Sequence, residues 1–185
     1  MKSLGGLDAS FLYMETPQTP MHVAGLSIVE LPKGFKGSFY EVYKRHIASR
    51  LHLFPVLKKK IVPVPWDIDH PIWIDDDELD IDYHIRDSRL PKPGTMEQLE
   101  DLVGRLHSNF LDRSRPLWEF YVIDGLADDR LAVYTKIHHA AVDGVQHAPV
   151  RAVRLVVENP ARRIGHRLIH DVVTGDHGPA VIAAG

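Results

Sequence analysis

Leu131-Ala132-Val133-Tyr134-Thr135-Lys136-Ile137-His138-His139-Ala140-Ala141-Val142-Asp143-Gly144 is the stretch whose reading decides the fold. Leu131 to Ile137 is an apolar, β-branched run that reads as a strand, and it breaks at Asp-Gly, a turn dipeptide. Two imidazoles therefore stand where a strand ends, with a carboxylate a turn later. Neighbouring residues on a strand point to opposite faces, so only one of His138 and His139 can face a cleft while the other packs. A neutral imidazole with a pKa near neutrality is the natural base for taking a proton from a hydroxyl or thiol. Asp143 either orients the turn through a salt bridge or caps a following helix. Gly144 supplies a positive φ or a close backbone approach. The plain alternative is a pair of core histidines followed by an ordinary turn.

Working outward, Glu119 to Asp124 is a second strand and Asp124-Gly125 begins a turn, so strand, polar loop and strand form a β-hairpin. A turn centred near Ala127 and Asp128 sets Pro116-Leu117 across from His138-His139, with Trp118 next in line, read as core packing in preference to substrate contact. Pro93-Gly94-Thr95 opens a helix. Met96, Leu99, Leu102, Val103, Leu106 and Phe110 carry its period, and Thr95 with Gln98 fits a capping box. Leu79, Ile81, Tyr83 and Ile85 alternate, which predicts a strand. Met21 to Leu31 is another strand, preceded by an apolar anchor over Leu7 to Met14. Ser38 to Phe54 has helical spacing with Ser38 as N-cap and Pro55 as its stop. Ile61 to Trp66, broken by Pro63 and Pro65, is an edge or loop, and Ile72 to Ile74 a short strand. Asp75-Asp76-Asp77-Glu78 reads as a solvated turn rather than a metal site, and Lys58-Lys59-Lys60 as a solvated face with a weaker claim on a membrane surface.

The chain's 185 residues suffice for one domain with a real core. Its net charge of −3 gives no footprint for nucleic acid. With no cysteine, disulfides, thiolate catalysis and cysteine-ligated zinc are excluded. A hydrolytic metal set of His139, Asp143 and His147 lacks an evident common geometry. Neither a signal-peptide core nor a run long enough to span a bilayer is present, which predicts a cytoplasmic protein, soluble or peripherally attached.

Several stretches together resemble the N-terminal half of the bacterial wax ester synthase/acyl-CoA:diacylglycerol acyltransferase family, its mycobacterial members in particular. They are Leu7-Asp8-Ala9-Ser10-Phe11-Leu12-Tyr13-Met14-Glu15, Met21-His22-Val23-Ala24-Gly25, Asp82-Tyr83-His84-Ile85-Arg86, Leu111 through Glu119, Ile123-Asp124-Gly125-Leu126, and His138-His139 through Asp143-Gly144. The resemblance implies an α/β fold with a mixed sheet, one half of a chloramphenicol-acetyltransferase-like architecture in which two halves pack around a tunnel. It implies transfer of a fatty acyl group from acyl-CoA, a substrate rather than a resident cofactor, to diacylglycerol or a long-chain alcohol. By the same resemblance His139 is the general base, His138 supports it, Asp143 is structural, Gly144 keeps the loop tight, and Pro116-Leu117-Trp118 is structural. It further implies contact with a membrane or lipid-droplet surface, and self-association through a face meant for the other half.

The resemblance divides the chain into an acyltransferase half-domain over 1–145 and an atypical tail over 146–185. Every Trp, Tyr and Phe lies before Val145, and the tail has no lysine but carries Arg151, Arg154, Arg162, Arg163 and Arg167. Pro149 falls where the family runs a helix. The expectation is a truncated or frameshifted chain, its tail partly disordered with a short helix over Val150 to Val157. A non-catalytic remnant or lipid-associated interaction module is the alternative reading. A peptide-bond-forming condensation domain of the same superfamily also fits the histidine motif, but Leu111 to Trp118 favours the lipid branch.

Overall fold

A computed structural model describes residues 2–143 and 168–174. Its centre is a five-stranded sheet in the order β5-β6-β7-β2-β8, built from Ile85–Arg89, Trp118–Leu126, Arg130–His138, His22–Glu30 and Leu168–Thr174. The β5–β6 pair is parallel and the rest antiparallel, so the sheet is mixed as expected. A second, three-stranded antiparallel sheet has the order β1 (Lys2–Ser3), β4 (Ile72–Asp75), β3 (Lys59–Val62). β8 lies in the predicted tail; the helix expected over 150–157 lies outside the described residues.

Period-2 alternation sends the strands of the larger sheet into two cores. Trp118, Phe120 and Val122 of β6 join Val133 and Ile137 of β7 on one face, against Leu12 of helix α1 (Gly6–Met14) and Tyr43 and Ile47 of α2 (Phe39–Ala48). Tyr121 and Ile123 join Ala132, Tyr134, Leu26 and Ile28 on the other, under Leu99 and Val103 of helix α4 (Met96–Ser108). Each fully buried Leu, Val or Phe stabilises the fold by roughly 1.5–3 kcal/mol.

Helix α4 (Met96–Ser108) starts where its capping box predicts: Thr95 Oγ1 accepts from the Gln98 amide, and Gln98 Oε1 accepts from the Thr95 amide. Ser38 caps α2 through the Glu41 amide, but α2 ends at Ala48, well before Pro55, which instead opens a 3-10 turn over Pro55–Lys58. The strand predicted from the Leu79–Ile85 alternation is only partly present. Asp80 turns its carboxylate onto the amides of Asp82 (3.0 Å) and Tyr83 (3.2 Å). This winds Ile81–His84 into a single helical turn, α3, and the strand begins at Ile85.

The hairpin of β6 and β7 pairs Trp118 with Ile137 and Leu126 with Arg130. Asp124-Gly125 does not begin its turn. The strand runs on to Leu126 through a register shift, and Gly125 takes φ +82 where a Cβ would press on the Leu90 carbonyl oxygen at 2.9 Å. The reversal falls on Ala127 to Asp129, with Asp128 and Asp129 at positive φ (62° and 53°). The two charge runs neutralise one another across β3 and β4. Lys59 meets Asp75 at 2.8 Å and Lys60 meets Asp76 at 2.9 Å.

Candidate active site

Strand β7 ends at His138, and His139 is the first residue of a short helix, α5 (His139–Asp143). The strand-parity argument thus applies to His138 alone. The two histidines do separate, because the backbone changes direction between them. His138 is buried, at 1% exposure, whereas His139 is partly exposed. Its imidazole stacks on the Phe11 ring of α1, centroids 4.9 Å apart and planes 20° apart. Such a pair is worth about 0.5–1.5 kcal/mol and limits rotation of the ring.

The start of α5 is held from three sides. The His138 amide donates to Leu117 O (3.0 Å), which realises the predicted proximity of Pro116-Leu117 to the histidines. The His139 amide donates to Met21 O (2.9 Å). The Ala140 amide donates to His138 Nδ1 (3.1 Å), so His138 caps the helix that begins at its neighbour. A backbone amide can only donate, so Nδ1 is bare and a neutral His138 carries its proton on Nε2. That Nε2 faces Glu15 Oε1 at 3.4 Å, an ion-pair distance without hydrogen-bond alignment.

Glu15, at the C-cap of α1, is 4% exposed at its side chain. Its Oε1 accepts from the Met21 amide (3.1 Å), and its Oε2 accepts from Arg113 Nη2 (2.8 Å). Burial alone would raise its pKa. His138, Arg113 and the Met21 amide outweigh burial and bring it down to about 2. Arg113 also donates to Leu12 O at 2.8 Å, which ties the segment before β6 to the end of α1.

Trp118 is fully buried. Its Nε1 donates to Leu57 O (2.8 Å) and its ring stacks on His84 at 4.4 Å. Leu117 is buried beside it. Pro116, Leu117 and Trp118 are all buried beside the end of the histidine strand. Asp143 closes α5; its expected ion pair, together with Gly144 and His147, lies outside the described residues. Among the described residues no three His, Asp or Glu side chains converge as metal ligands.

Glu15, Phe11, Met21 and Arg113 are the site residues that the chain pattern did not single out by role. Glu15 closes an apolar segment. Its hydrogen-bond partner Arg113 lies 98 positions away and His138 further still, beyond any local period. Beyond the site, a second buried polar cluster sits under α4. Lys136, at 0% exposure, donates to Leu106 O (2.9 Å) and Asn109 O (3.0 Å) and lies 3.4 Å from Glu119. His22 Nε2 meets His107 O at 2.7 Å, and His107 Nδ1 meets the Tyr134 hydroxyl at 2.9 Å.

Among proteins of known fold, the wax ester synthase/diacylglycerol acyltransferase from Marinobacter aquaeolei VT8 superposes with TM-score 0.69 at 33% identity, covering 85% of this chain and 36% of that one. The starter condensation domain of rhizomide synthetase RzmA superposes with TM-score 0.64 at 12% identity, a likeness of fold alone. In sequence, the chain is 44% identical over 138 residues to the probable diacylglycerol O-acyltransferase tgs2 of Mycobacterium tuberculosis H37Rv, covering 75% of this chain and 30% of that protein. It is 44% identical over 142 residues to tgs3 of the same strain, covering 77% and 52%. The chain thus spans about a third to a half of the length of these relatives. Residues 4–167 match the family described as the wax ester synthase/diacylglycerol acyltransferase catalytic domain. On that match, across fold and sequence alike, the chain belongs to the wax ester synthase/diacylglycerol acyltransferase family.

Proposed function

We propose that this chain carries the general-base half of an acyl-CoA-dependent O-acyltransferase site, with His139 as the base and diacylglycerol or a long-chain alcohol as the acceptor. The observation that carries the reading is the split between the two histidines. His138 is buried and committed to capping, while His139 is partly exposed with its ring set by Phe11. The names of the relatives, diacylglycerol O-acyltransferases and a wax ester synthase, supply the substrate class.

An alcohol is a poor nucleophile at neutral pH. His139 accepts its proton as the oxygen attacks the thioester carbonyl carbon. The resulting oxyanion collapses, the carbon–sulfur bond breaks, and coenzyme A leaves as the thiol with the proton returned to sulfur. The products are an ester and free coenzyme A; no cofactor beyond the acyl-CoA substrate enters. Pro116-Leu117-Trp118 braces the strand before the base. The test is an acyl-CoA transfer assay with diacylglycerol and with hexadecanol. His139→Ala should lower the rate by roughly 10²–10⁴-fold. Equal background rates in both proteins would sink the reading.

A second reading, a non-catalytic lipid-associated module, is favoured by one observation. Leu7, Tyr13 and Met14 of α1 are more than half exposed, and Trp66 and Ile68 are 92% and 80% exposed. Peripheral attachment to a membrane or lipid droplet from the cytoplasm and self-association both fit that surface. Among the described residues no helix is long and apolar enough to cross a membrane. Liposome flotation and size-exclusion chromatography separate the readings. A monomer that ignores lipid but transfers acyl groups excludes the module.

A further inference from the structure

One carboxylate reaches the first two amides of the helix that begins with His139, by two routes. Glu15 Oε1 accepts the Met21 amide, and the Met21 carbonyl accepts the His139 amide. The same Oε1 faces His138 Nε2 at 3.4 Å, and His138 Nδ1 accepts the Ala140 amide. Nε2 is fully buried and has no hydrogen-bond partner among the described residues, so Glu15 is the acceptor it faces. The cap requires Nδ1 to be bare, and a negative charge opposite Nε2 favours that tautomer over its alternative. Arg113, on Oε2, fixes the carboxylate's direction. We infer that Glu15 is a positioning residue: it selects the Nε2-protonated form of His138 and sets the start of α5, and through both it aims the His139 imidazole.

The inference rests on the reading of His139 as the base, and it is specific to charge and acceptor number. A glutamine has one acceptor oxygen. In Glu15→Gln its amide group must point an N–H at either Arg113 or the Met21 and His138 side, where an N–H already stands.

The experiment uses the full chain, labelled with ¹⁵N, and long-range proton–nitrogen spectra of the histidine rings near neutral pH. In the wild type, His138 should show a protonated Nε2 and a bare Nδ1. In Glu15→Gln its two nitrogens should move toward a tautomer average, and the His139 ring signals should shift with them. A change in packing without a change in tautomer would leave the His138 nitrogens in place. An Nδ1-protonated His138 in the wild type overturns the inference, and this measurement needs no variant to fold. Unmoved His139 signals in Glu15→Gln overturn it as well. In the transfer assay, Glu15→Gln should lower kcat roughly ten- to a hundredfold with KM within about twofold. A rise in KM alone would count against positioning. If the wild type transfers no more than His139→Ala, the acyltransferase reading falls, while the ring spectra still decide what Glu15 does to the two histidines.

Discussion

Acid should unfold this protein partly through one buried histidine. His22 is 6% exposed at the start of β2, its Nε2 on the His107 carbonyl. Burial first, then the positive charges at His107 and Lys136, pull its pKa from 6.5 to about 4; the bond to the His107 carbonyl and the charge of Glu15 oppose the shift only in part. The folded state therefore resists a proton that the unfolded state takes up below pH 6.5. Between the two pKa values the unfolded chain binds more protons, so stability falls as pH falls and is recovered as pH rises. Above 6.5 the imidazole is neutral in both states and contributes no slope. At 1.36 kcal/mol per unit, the full effect is about 3 kcal/mol, of which about 2.5 kcal/mol accrues between pH 7.5 and 4.5. His22→Gln keeps a donor for the His107 carbonyl and removes the titration. Urea unfolding of both proteins at pH 7.5 and 4.5 reads the contribution of His22 together with its coupling to the adjacent His107, while His84, also depressed by burial, remains in both. The wild type should lose about 2.5 kcal/mol more than the variant over that range. Parallel losses in the two proteins would refute the assignment.

Three further outcomes follow from buried polar groups and a crowded glycine. Lys136→Met should cost about 3 kcal/mol by chemical denaturation, since it removes one of the two cations beside buried Glu119 and uncaps the end of α4; Arg86, 3.4 Å from Glu119, and the Tyr121 hydroxyl, which donates to it, keep the loss at the lower end of the range for a broken buried pair. Adding Glu119→Gln to that variant should recover part of the loss, and a double variant weaker than the single would contradict the pairing. Trp118→Phe leaves the Leu57 carbonyl without its donor and a void in the core, for a loss of about 2–4 kcal/mol in the same measurement. Gly94→Ala should cost more than about 2 kcal/mol, because φ is +75° and the new Cβ would run into the Gly125 carbonyl; a neutral result would mean the α4 approach is looser than its geometry implies.

What the sequence carried, it carried through local physics. The hairpin, the α4 capping box, the Ser38 cap and the burial of Trp118 each follow from periodicity or from hydrogen bonds spanning a few residues. The failures are local competitions. At Asp80 a carboxylate outbid a strand for two amides, and at Gly125 a bulge took the place of a turn. His139 was legible as a residue at a strand end, but not as the first residue of a helix, because its cap is the side chain of the residue before it. Glu15 is legible only as a member of a family stretch, and Phe11 only as part of that stretch and of an apolar anchor, not as a partner of His139. Their contacts at the site join the first elements of the chain to residues 113 to 139, and no pattern along the chain encodes such a closure.

The pairing of β2 with β7 joins residues 22–30 to residues 130–138. Both flanks of β2, β7 on one side and β8 on the other, come from later in the chain. On a ribosome adding roughly 5–20 residues per second, β2 therefore waits on the order of ten seconds for its first neighbour. During that interval an apolar strand displays two open edges, and Glu15 and His22 have neither Arg113 nor His107 to meet. The geometry that assembles the site from the two ends of the segment makes it among the last parts to form. Rapid closure of the β6–β7 hairpin onto β2 once His138 emerges shortens the time for which those edges stay open.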